Sequence, residues 1–313
     1  MITNDMRINL WTRRQFVVTL GLAALASRLD AATLEQVRLG VTTDEIDDDL
    51  EKAIAMLNEF KLKYAEIRQL WGKYNTAQPL EKIREAKSLL DRNGIRTSVL
   101  GTAFFKVPLP PETPDGMAQL ETQWKLLDDA FERAAVLGAD KLRIFAFTFA
   151  KGQKSGNEKE YARVAGLLNE AARRARARKM SLAIENVSGS YVATGADAAQ
   201  LLKQVKDDAV GLTWDPNNAG LSGEKSFPDG YRLLDPARIL HVHLRDYRPT
   251  PDGKGEWCAV GEGVFDNLGQ VRALLRDGYK GFFTLETHYR SPQGKAHATR
   301  TSLTALLKVI EKV

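Results

Sequence analysis

Cysteine is all but absent: Cys258 is the only one in 313 residues, which excludes an internal disulfide and any zinc cage built from thiolates. Histidine is nearly as scarce, and four residues are too few for a histidine-rich multi-metal cluster. No segment approaches the roughly 18 consecutive apolar residues of a membrane span, so stable membrane insertion is not expected. Charge of one sign is also lacking. Lys and Arg total 45 against 40 Asp and Glu, and the resulting +5 is too modest to argue for nucleic acid. The run RRARARK, Arg173 to Lys179, looks basic, but at 100° per residue its charges scatter around a helix. The turn after the first β-rich run, VTTDEIDD, has no glycine to cradle a phosphate. What remains is 43% hydrophobic and 27% charged residues, the balance of a globular protein with a sizeable core. Nothing in it limits self-association, so a homo-oligomer stays open.

The N-terminus has a different character. TRRQFVVTLGLAALAS sets Arg13 and Arg14 directly before an apolar run, Phe16 to Ala26, that is too short to span a bilayer and ends in Ala-Leu-Ala. It resembles a twin-arginine (Tat) export signal. The resemblance implies residues 1–32 as signal and short linker, cleavage after Ala26 or else Ala32, contact with the Tat machinery, and a periplasmic or secreted mature protein. Removing residues 1–26 takes away Arg7, Arg13, Arg14 and Asp5, leaving a charge of +3.

From Val37 onward, short β-rich runs alternate with longer amphipathic ones. The strands are expected at 37–42, 64–71, 95–102, 140–147, 181–186, 209–215, 239–246 and 281–288. Helical patterns come after all but the sixth. PLEKIREAKSLLDRNG shows the punctuation expected, with proline at its start and Gly94 at its end. Eight such units without an internal linker predict one domain over 33–313, an α/β (β/α)8 TIM barrel.

In such a barrel the chemistry sits at the C-terminal ends of the strands, on the inward face, where residues i and i+2 point together. Strand five ends in Glu185 and strand six in Asp215. Strand seven, ILHVHLRD, turns His241, His243 and Arg245 to one face, and strand eight turns Thr284, Glu286 and His288 inward. Each residue taken singly also fits a plain structural role; Asp215, for example, could simply cap the loop that begins at Pro216. Four adjacent strands each offering a metal-capable residue point instead to one oxygen-rich site. Such a donor set suits Mn²⁺ first, with Mg²⁺, Co²⁺ or Zn²⁺ as alternatives. An ion there would leave positions for adjacent oxygens of a sugar and acidify the neighbouring C–H, with Glu185 and Glu286 moving the proton through an enediolate.

The chain resembles the xylose isomerase-like TIM-barrel superfamily of sugar phosphate isomerases and epimerases, which includes the ketose 3-epimerases. The likeness covers most of 37–313 and rests on AIEN, WDPNN, HVHLRD, TLET and the GEGVFD turn (261–266). It implies Glu185, Asp215, His243 and Glu286 as metal ligands. His243 is preferred to His241 because it lies nearer the strand's C-terminal end and is the second histidine of the pair; His241 is left a core role or a supporting hydrogen bond. Asn218 stands where the ketose 3-epimerases carry a substrate-contacting histidine, so their sugar shell does not carry over. Trp71, Arg143, Asn218, Arg245, Arg248 and His288 are candidate substrate contacts, each equally able to serve packing or a surface ion pair.

The leading functional expectation is a metal-dependent sugar isomerase or epimerase. A lyase or hydratase acting on 3-keto-glycosides uses the same site and is the runner-up. A sugar-binding barrel without chemistry is the non-enzyme alternative, which the presence of both glutamates disfavours. A DNA-repair nuclease on the same barrel is disfavoured by the histidine count.

Overall fold

The computed structural model describes residues 36–252 and 254–313, so the export signal expected at the N-terminus lies outside the described residues. The β-rich runs form strands β1 (Leu39–Thr42), β2 (Tyr64–Ile67), β3 (Arg96–Gly101), β4 (Lys141–Ile144), β5 (Ser181–Glu185), β6 (Val210–Trp214), β7 (Ile239–Leu244) and β8 (Phe282–Leu285). Every neighbour pairs in parallel, and β8 closes against β1 to complete the barrel. Around it lie α1 (Leu50–Glu59), α2 (Leu80–Arg92), α3 (Pro114–Leu137), α4 (Glu158–Ala177), α5 (Gly195–Leu202), α6 (Pro216–Leu221), α7 (Asn267–Arg276) and α8 (Lys295–Ile310). The (β/α)8 architecture expected from the alternation is the one observed. After β6, where no helical pattern was legible, the six-residue α6 forms, followed by short helical turns at Ser226–Gly230, Tyr231–Leu233 and Pro236–Arg238.

Local chemistry sets the helix ends. Asn157 and Glu160 form a reciprocal capping box at the start of α4, with bonds of 3.0 and 2.9 Å. Gly138, at φ 73°, closes α3 in the left-handed conformation that glycine adopts without strain. Among the described residues no helix is long and apolar enough to cross a membrane.

The hydrophobic core lies outside the strands, where Ile184, Trp214, Val242, Leu244 and Phe283 are buried beneath the helices. Trp214 is fixed there by its indole N–H, which donates to Gln270 of α7 at 3.0 Å. The barrel's inside is polar. Glu66, Thr213, His241, His243 and Thr284 are all fully buried within it. Polar groups in such a place need partners, and the arrangement of those partners makes the site.

Candidate metal centre

Four strand ends bring Glu185, Asp215, His243 and Glu286 together, with one ligand atom from each lying within 4.8 Å of all the others. They do not share one hydrogen-bonded row. Glu185 pairs with Thr213, two residues short of Asp215, and His243 pairs with Thr284, two short of Glu286. Asp215 continues the β6–β7 pairing in line with His243, so the two-residue advance comes at the other two steps. Barrel strands tilt against the axis, and these advances restore a common height.

His243 is the hub. Its Nδ1 lies 3.3 Å from Glu286 Oε2, 3.7 Å from Glu185 Oε1 and 3.8 Å from Asp215 Oδ2. Its other nitrogen, Nε2, bonds Glu66 Oε2 at 2.8 Å. Both His243 Nδ1 and Glu286 Oε2 are buried with no hydrogen-bond partner, an expensive condition unless something else satisfies them. Ligands around a cation with bonds of about 2.1 Å stand about 3 to 4.2 Å apart, a window that contains the His243 separations. The donor set and the orphaned atoms therefore fit a divalent ion held by Glu185, Asp215, His243 and Glu286.

Asp215 does two jobs. It is the N-cap of α6, where Oδ1 accepts from the backbone N–H groups of Asn217 (3.0 Å) and Asn218 (2.8 Å), while Oδ2 faces the centre. The capping role and the site role use different oxygens. Burial raises its pKa, and Arg245 and His243 only partly offset that. Glu286 goes the other way: against its burial, His243 and Arg245 hold the carboxyl well below its usual range. Glu185 is lowered for the same kind of reason: against its burial, Arg143 and His243 together draw the carboxyl down. The two glutamates are thus kept as carboxylates.

A surrounding layer positions the four. Arg143 Nε lies 3.1 Å from Glu185 Oε2, and its Nη1 donates to the Thr102 carbonyl at 2.8 Å. Asn218 Nδ2 donates to Asn186 O at 2.9 Å and to Glu185 Oε1 at 3.3 Å. Arg245 bonds Asp215 and His288 Nδ1 and lies 3.1 Å from Glu286 Oε2. Its guanidinium sits 4.2 Å from the centre of the Trp257 ring. Arg143, Asn218, Arg245 and His288 are therefore gathered at the centre. Trp71 and Arg248 are not. Trp71 stacks with Lys82, 4.9 Å from its ring centre, and its backbone bonds Asp48. Arg248 pairs with Glu256 at 3.4 Å and Glu262 at 3.1 Å on the surface. The chain leaves the barrel after Leu244 for an antiparallel ribbon, Asp246–Arg248 against Glu256–Cys258, which carries Arg248 away.

Sequence reasoning missed Glu66, Arg68, Asp44, Glu45 and Trp257. Glu66 is wholly buried between the two histidines, 3.2 Å from His241 Nε2 as well as 2.8 Å from His243 Nε2. Burial alone would raise its pKa, but the two imidazoles draw it below the normal range. Arg68 Nη1 holds Glu286 Oε1 at 2.6 Å while its Nη2 holds Asp44 at 2.7 Å and Glu45 at 2.6 Å. The alternation Glu66-x-Arg68 at the end of β2 was the available signal, since it sets two charges on the inward face. His241 keeps the supporting place expected of it.

The chain belongs to the xylose isomerase-like TIM barrel family, whose profile matches residues 26–309. Among curated relatives, inosose dehydratase from Klebsiella pneumoniae (strain 342) is 31% identical over 146 residues, 42% of this chain and 48% of that protein. The match thus spans about half the length of that relative. D-allulose 3-epimerase from Methylomonas sp. superposes with a TM-score of 0.70 at 18% identity, over 89% of this chain and 98% of the other. The IOLI protein, crystallised with a binding zinc atom, gives 0.69 at 18% identity over 88% of this chain and 98% of the other. At such identities the two structures speak for the fold.

Proposed function

We propose that this protein is a divalent-metal enzyme that moves a proton at the carbon beside the carbonyl of a keto-sugar, as an isomerase or epimerase working through an enediolate. The observation that carries the reading is the pair of buried carboxylates, Glu185 and Glu286, on either side of His243, whose Nδ1 is left without a partner. A bound Mn²⁺, or Zn²⁺ as in the IOLI protein, would polarise the substrate carbonyl and acidify the C–H next to it. Glu185, oriented by Arg143 and Asn218, takes or returns the proton on one side. Glu286, oriented by Arg68, does so on the other. Glu66 fixes the His243 ring so that Nδ1 faces the centre. Stacked over Arg245, Trp257 offers an aromatic wall at the rim.

A second reading is elimination of water after the same proton abstraction. The inosose dehydratase relative supports it. One experiment addresses both. Manganese-loaded protein is incubated in D₂O with D-allulose, an inosose and a methyl 3-keto-glucoside. Deuterium uptake at a single carbon identifies the proton moved, and loss of water separates the second reading from the first. Stoichiometric metal with no exchange into any of the three overturns the function.

The twin arginine supports a further part of the proposal: export by the Tat route, which carries folded proteins, so that the metal is loaded before translocation. Changing Arg13 and Arg14 together to Lys should leave the precursor in the cytoplasm. Undiminished export of the metal-loaded double variant would refute it.

A further inference from the structure

The loop after β3 carries a cation that the mechanism above does not use. Phe104, Phe105 and Phe147 form a continuous stack, with ring centres 3.8 and 3.9 Å apart, and Phe105 holds a left-handed backbone at φ 61°. Backbone bonds from Phe145 to Phe104 (3.0 Å), from Phe147 to Phe105 (3.0 Å) and from Thr148 to Val107 (2.9 Å) tie this loop to the extension of β4. Lys106 is thereby fixed at the rim. Non-glycine residues in that conformation are strained and persist where the surroundings over-determine them.

The Lys106 ammonium lies 4.6 Å from the centre of the Phe145 ring, and the Arg143 guanidinium lies 4.8 Å from the same centre. Lys106 thus stands one aromatic ring away from the group that holds Glu185. Among the described residues it has no carboxylate in ion-pair reach, although the charges of Arg143, Glu185, Glu286 and Arg68 all act on it. Desolvation and the Arg143 charge lower its pKa, so the ammonium gives up a proton more readily than a surface lysine. The residue as a whole remains exposed, which leaves a route for reprotonation from solvent.

We propose that Lys106 is the proton donor to the departing hydroxyl of a β-hydroxy ketone, and so the residue that lets this site eliminate water. The proposal rests on the elimination reading of the site. In the step, the α C–H bond breaks and its proton passes to Glu185 or Glu286. The electron pair forms the C=C bond, the β C–O bond breaks, and the Lys106 ammonium delivers a proton to the leaving oxygen. Water departs and the amine recovers its proton from solvent. No oxidant or reductant is needed.

The test uses manganese-loaded wild type, Lys106→Met and Lys106→Arg with an inosose in D₂O, scored for deuterium exchange and for loss of water. In Lys106→Met, elimination should fall by about 100-fold or more, the scale of a lost general acid, while exchange falls by no more than about threefold. A β-fluoro analogue, whose fluoride leaves without a proton, should restore elimination in Lys106→Met but change little in wild type. Lys106→Arg, charged but a far weaker acid, should resemble Lys106→Met. Equal loss of exchange and elimination, no rescue by fluoride, or full elimination by Lys106→Met each overturns the role. Wild-type exchange without elimination of water overturns it too while leaving proton transfer intact. No exchange and no elimination by the wild type removes both.

Discussion

His243 and His241 stand two residues apart on one strand, and a single carboxylate gives them different tasks. Glu66 accepts from both, yet only His243 has a second nitrogen directed at the carboxylate cluster. His243→Ala should therefore abolish metal binding, measured by metal analysis of purified protein, whereas His241→Ala should mainly lower the melting temperature. The reverse result would reassign the ligand. Glu185→Gln removes a donor and a base together, so turnover should fall by at least about 100-fold with weakened metal binding. Glu66→Gln, which reaches His243 only at the nitrogen turned away from the centre, should cost about 10- to 100-fold in metal affinity by isothermal titration. Affinity unchanged in Glu66→Gln would mean that the ring is oriented by packing alone.

At the scale of elements, the β7 exit shows how one buried carboxylate shapes a rim. Asp246 accepts from the backbone N–H of Tyr247 (2.9 Å), Gly261 (2.9 Å), Gly263 (3.3 Å) and Phe265 (3.1 Å), folding the GEGVFD turn back over the ribbon. A Cβ at Gly263 would collide with both the Asp246 carboxylate and the Tyr247 carbonyl, so the turn requires glycine for space. Gly263→Ala should destabilise the protein by roughly 1–3 kcal/mol, seen as a lower urea midpoint. It should also loosen the ribbon that carries Trp257, raising KM more than it lowers kcat. A midpoint identical to wild type would show that the turn relaxes freely. Gly101 serves a comparable purpose lower in the barrel, where a Cβ would come within 2.9 Å of Arg143 and 3.0 Å of Glu66.

For the whole molecule, the buried charges link stability to metal and to pH. An ion that binds only the folded state stabilises it by mass action, about 2.7 kcal/mol at a hundredfold excess over Kd. Manganese should raise the melting temperature and chelation should return it to the apo value. Glu66, Glu185 and Glu286 have lowered pKa values in the folded protein, each because neighbouring cations or imidazoles outweigh burial. Their contribution is complete above the unfolded glutamate value of about 4.3 and is lost as the pH falls below it toward the folded values. Asp215 and Asp44, both shifted upward by burial, work in the opposite sense but are two groups against three. The metal-free protein should thus have a lower urea midpoint at pH 3.5 than at pH 6, and Glu66→Gln should flatten that difference. An equal midpoint at both values would contradict the linkage.

By itself the sequence determined the barrel, because eight alternations of strand and helix pattern with matching start and stop signals leave few other ways to bury so many apolar faces. The period-two alternation at strand ends also turned Glu185, Asp215, both histidines of β7 and Glu286 inward, since side-chain direction along a strand is a local property, and the family resemblance then implied His243 over His241. What lay outside such reading was everything that depends on neighbours far apart in the chain. Glu66 meets His243 across 177 positions, and Arg68 meets Glu286 across 218. Which oxygen of Asp215 caps α6 and which faces the centre depends on the chain's turn at Pro216. Arg248 and Arg245, three residues apart, part company because the chain leaves the barrel between them. Only closure of the tilted sheet brings the four ligands to one height, because hydrogen-bond register leaves Asp215 two residues past the partner of Glu185 and Glu286 two residues past the partner of His243, while Asp215 and His243 stay in line.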